Sequence, residues 1–192
     1  MRYDEWLQHG HAVSVRIEDP QANRIILPGC QLKCLKELNA EGKEIIVENI
    51  NALVDTGATI SAIDENLAKR MNLVPTGKTV VSGVHGAKVV DTYTFDFRVG
   101  GLVVLMKNAS CGQFDGQGFQ LLLGMDVLRL GEFYLGTFQD RDGREKTMFS
   151  FSVPSQAKGF DFVAEWNSAR ERKEREGRII RGQHMNPKKH RH

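Results

Sequence analysis

Ala52-Leu53-Val54-Asp55-Thr56-Gly57-Ala58 decides the reading of this chain. An apolar run ends abruptly in Asp-Thr-Gly, and the apolar segment Ile60-Ser61-Ala62-Ile63 follows. A carboxylate in such surroundings is costly to ionise unless its charge is shared or solvated. The small residues beside it allow another backbone to come close. Two such carboxylates sharing one proton can activate a water molecule. The motif occurs once, so a second aspartate has to come from a second copy of the chain.

Further on, Leu121-Leu122-Leu123-Gly124-Met125-Asp126-Val127-Leu128 reads as a buried strand that turns at a glycine into a short helix. Asp-Thr-Gly with apolar flanks, followed at this distance by Leu-Leu-Gly-Met-Asp-x-Leu, resembles the retropepsin-like aspartic proteases, the retroviral type. The resemblance covers roughly residues 30 to 153. It looks closest to retrotransposon and bacterial members, because Thr59 and Ile60 stand where viral enzymes often carry acidic residues. Asp126 likewise follows Gly124-Met125 where many viral enzymes carry a basic residue.

The resemblance implies an all-β fold: a small, partly closed acid-protease barrel with one or two short helices, used as a symmetric homodimer. It implies that Asp55 is the catalytic aspartate and that Thr56 and Gly57 form the active-site loop. Ala58, Gly83, Val84, His85 and Gly86 would border the substrate, the last four as the tip of a closing flap. Leu122, Leu123 and Gly124 would support the loop from behind. The implied activity is that of an aspartic endopeptidase cutting a peptide or protein substrate, with no cofactor and no metal. A rival reading keeps the fold and drops the reaction, leaving a catalytically silent dimeric module that binds peptides. A third treats Asp55 as a turn-capping aspartate, with Thr-Gly as ordinary turn residues.

The chain has 192 residues, 41% hydrophobic and 26% charged, an ordinary soluble composition. No apolar run approaches the ~18 residues of a membrane span. Met1-Arg2-Tyr3-Asp4-Glu5-Trp6 lacks a signal-peptide core, so the expected location is cytoplasmic, without a membrane partner. Cys30, Cys34 and Cys111 form no even disulfide framework. The C-x3-C spacing of Cys30 and Cys34 could be half a zinc site, but no second Cys/His pair stands at useful spacing. The expectation is reduced cysteines, partly buried in strands.

Charge is divided unevenly. Residues 1–154 hold 16 Lys/Arg against 19 Asp/Glu, and residues 155–192 hold 10 against 5. The expected organisation is an N-terminal extension over 1–29, a protease domain over 30–154 and a basic helical or disordered tail over 155–192. Ala12 to Ile17 alternates as a strand does, and Ile25-Ile26-Leu27 is a short apolar run before Pro28-Gly29. Strands are expected over Cys30–Leu35, Glu44–Ile50, Thr79–Val81, Lys88–Val90, Thr92–Val99, Leu102–Met106 and Phe119–Leu123, with a last hairpin of Glu132–Phe138 and Met148–Val153. Asp64 reads as a helix N-cap before Leu67, Ala68 and Met71. Residues 160–181 could form a helix with an apolar start and a mixed-charge remainder. The basic tail allows a nucleic-acid or acidic partner, but no nucleic-acid motif accompanies it, so no nucleic-acid partner is expected.

Overall fold

The structure is a computed structural model that describes residues 3–9, 12–83, 86–154 and 161–184. It divides into two compact units, Met1–Gln156 and Ala157–His192. Within the first unit the chain runs through β1 (Tyr3–His9), β2 (Ala12–Ile17), β3 (Ile25–Cys34), a 3-10 turn at Lys36–Leu38, β4 (Ile45–Val54) and β5 (Ala62–Asp64). Then come α1 (Glu65–Arg70), β6 (Gly77–Gly83), β7 (Gly86–Val99), β8 (Leu102–Gly112), β9 (Leu121–Leu123), α2 (Met125–Leu128), β10 (Glu132–Gln139) and β11 (Glu145–Ser152).

Six strands close a barrel in the order β3-β4-β9-β5-β8-β7, and β6 pairs only with β7. The expected barrel was partly closed. Closure comes from three pairs of β3 with β7: Gln31 with Arg98, Leu32 with Phe97 and Lys33 with Asp96. A closed ring leaves no free edge within it. Strand β3 also runs straight through Pro28-Gly29, which reads in the sequence as a break. Its register with β4 shifts between Leu27 and Cys30, and Gly29 takes φ +64° there. A bulge of this kind tolerates a residue without an N–H and favours glycine in the left-handed region.

The second sheet is β1-β2-β11-β10, antiparallel throughout. Strand β2 buries every other residue, Val13, Val15 and Ile17, as the period-two pattern requires. Those side chains and Phe149 and Phe151 of β11 join one core with Leu32, Phe95, Phe97 and Leu102 of the barrel. Burying such a side chain fully contributes roughly 1.5–3 kcal/mol, so the residues before β3 are integral to this unit. Cys30 and Cys34 are buried in β3, and Cys111 is half-buried in β8. Asp64 caps α1 as read from the sequence: its carboxylate accepts from the N–H groups of Asn66 and Leu67.

The second unit contains α3 (Phe162–His184). Asp161 accepts from the N–H groups of Val163 and Ala164 and so caps its start. Arg170 and Glu174 pair at 3.1 Å, one helical turn apart. Among the described residues, no helix is long and apolar enough to cross a membrane.

Candidate active site

Asp55 stands at the end of β4, where the barrel sheet hands the chain to a loop. Strand β4 runs parallel to β9, with Leu53 beside Leu122 and Val54 beside Leu123. The Asp55 N–H extends that ladder by donating to the Leu123 carbonyl at 3.0 Å. The carboxylate therefore leaves the sheet from a backbone already fixed on one side. The side chain is half-buried, and Thr56 and Gly57 after it are exposed.

The loop turns on its own aspartate. Gly57 N–H donates to Asp55 Oδ1 at 2.9 Å, and Ala58 N–H donates to the Asp55 carbonyl at 3.3 Å. Among the described residues Oδ2 takes no hydrogen bond. A Cβ on Gly57 would sit 3.2 Å from Asp55 Oδ1, so the glycine keeps space against the carboxylate.

The rest of the loop is held by the segment around Gly124. Helix α2 has no side-chain cap, so its first N–H groups need partners from elsewhere. The loop supplies them: Met125 N–H donates to the Ala58 carbonyl at 2.8 Å, and Asp126 N–H to the Thr59 carbonyl at 3.2 Å. A Cβ on Gly124 would lie 2.8 Å from the Ile60 carbonyl carbon and 2.9 Å from the Ala58 oxygen. Only glycine admits this approach of two backbones.

Ser61 and Asp126, given no role from the sequence, tie the loop to the start of α2. Ser61 is fully buried. Its Oγ donates to Asp126 Oδ1 at 2.6 Å and accepts the Gly124 N–H at 2.9 Å. Its N–H also donates to Asp126 Oδ1, at 3.0 Å. Its carbonyl accepts from the N–H and hydroxyl of Ser110 on β8. A buried serine between Ile60 and Ala62 must be bonded, and that was the available signal.

Leu122, Leu123 and Gly124 thus lie directly behind the Asp55 loop. Gly83 and Gly86 form the last register pair of the β6–β7 hairpin. Gly86 takes φ +100°, and the hairpin exposes Val80, Val81 and Val89. Val84 and His85, expected at its tip, lie outside the described residues. A cleft of about 680 Å³ between α1 and the hairpin is lined by Glu65, Lys69, Tyr93 and Cys111, among others, and by none of residues 55–58.

Among known protein families, the model of the aspartyl protease family matches residues 39–127. Solved structures similar to this chain include two proteases. The simian foamy virus (mac) protease is 22% identical, with 52% of this chain and 88% of that one covered and a TM-score of 0.33. A retropepsin-like aspartic protease from Rickettsia conorii is 14% identical, with 78% of this chain and 99% of that one covered and a TM-score of 0.42. No curated protein matches the chain.

Proposed function

We propose that the chain is an aspartic endopeptidase of retropepsin type working as a homodimer, a reading supported by the match of residues 39–127 to the aspartyl protease family model. The single observation that carries this reading is Asp55, set on a loop that β9 and α2 brace from behind. Its carboxylate Oδ2 carries no hydrogen bond from the described residues.

In this reading a two-fold axis brings the Asp55 side chains of two copies together, as an isologous contact brings identical residues together. Carboxyls about 3 Å apart cannot both ionise at modest cost, so the pair holds one proton. The ionised carboxylate takes a proton from water, and the protonated one donates to the scissile carbonyl. Water attacks, the tetrahedral intermediate collapses, and the proton passes to the leaving amine. Gly57 and Ala58 face the substrate side, and Thr56 braces its counterpart across the axis. The β6–β7 hairpin, with its exposed valines, closes over the peptide as a flap. Residues 30–154 carry the reaction, 1–29 extend that domain, and 155–192 are an appendage.

Incubation of the purified chain with peptide mixtures tests this. Cleavage should occur and should be blocked by a peptide carrying a hydroxyl isostere at the scissile bond, a mimic of the tetrahedral state. Tight binding of that mimic without any cleavage would favour the silent peptide-binding module instead.

A further inference from the structure

We propose that the cleft beside the Asp55 loop is a subsite for an acidic side chain of the substrate, formed by Lys78 and Lys107. This rests on the peptidase reading above and names a substrate preference for it. The cleft has a volume of about 410 Å³, and its lining includes Ile60, Lys78, Thr79, Lys107, Asn108 and Asp126. Ile60 follows Asp55 by five positions and belongs to the segment whose backbone packs on Gly124. Lys78 and Thr79 come from the base of the β6–β7 hairpin. Lys107 comes from β8, next to Asn108, whose φ of 59° marks a kink in that strand. The cleft therefore joins the reactive loop to the base of the proposed flap.

Its charges favour an anion. Among the described residues neither lysine has an ion-pair or hydrogen-bond partner. Lys78 stands opposite Asp91 in the β6–β7 register, yet no ion pair joins them. Asp126 is the one acidic side chain of the lining. Its Oδ1 is already taken by the Ser61 N–H, the Ser61 hydroxyl and the Val127 N–H. Two lysines and one carboxylate thus give the lining a net charge of +1.

An extended peptide lying along the hairpin base would turn alternate side chains toward the same side. One of these would enter the cleft, its stem against Ile60 and its carboxylate between the lysines. A glutamine would keep the stem contact and lose the charge. A lysine would be repelled.

The test uses peptide mixtures randomised except at one fixed position, which holds Glu, Gln or Lys, with kcat/KM measured for each. We expect one flanking position at which Glu exceeds Gln by about threefold to fivefold for each lysine engaged, the yield of a partly exposed ion pair. The preference should shrink as ionic strength rises. It should flatten in K78Q/K107Q and invert toward Lys in K78E/K107E, with circular dichroism verifying the fold of both. A Glu preference at no position, or one that survives in K78E/K107E, overturns the proposal. Should the chain cleave nothing, the same mixtures are ranked by fluorescence-anisotropy binding to the intact protein. A Glu-over-Gln order lost in K78E/K107E would then support the subsite while the peptidase reading fails, and no order would overturn the subsite too.

Discussion

Ser61 Oγ donates to Asp126 Oδ1 at 2.6 Å while accepting the Gly124 N–H at 2.9 Å. One buried hydroxyl thereby joins the segment after Asp55 to the turn that opens α2. Ser61→Ala removes both bonds and leaves the Gly124 N–H unsatisfied. The expected loss is about 1–3 kcal/mol, read from urea unfolding. Ser61→Thr keeps the hydroxyl but adds a methyl at a fully buried site, and should cost about 1–3 kcal/mol.

Gly124→Ala tests the close approach of the two backbones. The added Cβ would meet the Ile60 carbonyl carbon at 2.8 Å and the Ala58 oxygen at 2.9 Å. Neither is the flexible end of a side chain, so the Asp55 loop has to shift. We expect a loss of about 1–3 kcal/mol and a larger proportional fall in peptide cleavage than Ser61→Ala causes. A stable, fully active Gly124→Ala protein would remove this support from the account.

Cys30 gives a prediction in pH. Burial pushes its thiol from an ordinary 9.0 up to about 12. The folded state therefore keeps its proton where the unfolded chain releases it, and stability falls as pH rises from about 9 to about 12. Cys30→Ala should flatten that part of the profile, although its cavity lowers stability at neutral pH. Thermal unfolding from pH 7 to pH 11 measures both effects. In the native chain at pH 8, Ellman's reagent should reach half-buried Cys111 first, and slowly, since burial raises that thiol as well.

Much of the fold was legible, since period-two burial in β2 and β7 and the cap at Asp64 are local features. The approach of the Leu121–Leu128 segment to Asp55 followed from motif resemblance rather than from any local signal. What escaped depended on pairing between distant residues. Strand β3 passes through Pro28-Gly29 because a bulge against β4 absorbs them. Strand β8 runs on past Met106 to Gly112, through Asn108 at positive φ. Nothing in Tyr3–His9 marks it as a strand until β2 pairs with it. Ser61 and Asp126 are 65 residues apart, and neither residue alone announces the other. In the proposed dyad the second aspartate comes from another copy, so nothing within one chain displays it.

The two compact units bear on truncation. The first unit, Met1–Gln156, contains both sheets and the whole Asp55 loop. Helix α3 is charged and exposed along Arg170–Glu176. A chain ending at Gln156 should fold and cleave peptides at a rate within about twofold of the full chain, since a compact unit with its own core can fold alone. Loss of both sedimentation as a dimer and activity on this truncation would show that the second unit is structural.

In the proposed homodimer two copies of Asp55 make one active site. This is tested most directly by mixing wild-type chain with Asp55→Asn chain at constant total concentration, letting subunits exchange, and measuring peptide cleavage against the wild-type fraction. Each productive dimer needs two aspartates, so activity should follow the square of that fraction and vanish in pure Asp55→Asn protein. A straight-line dependence, or undiminished cleavage by the pure variant, would contradict the account.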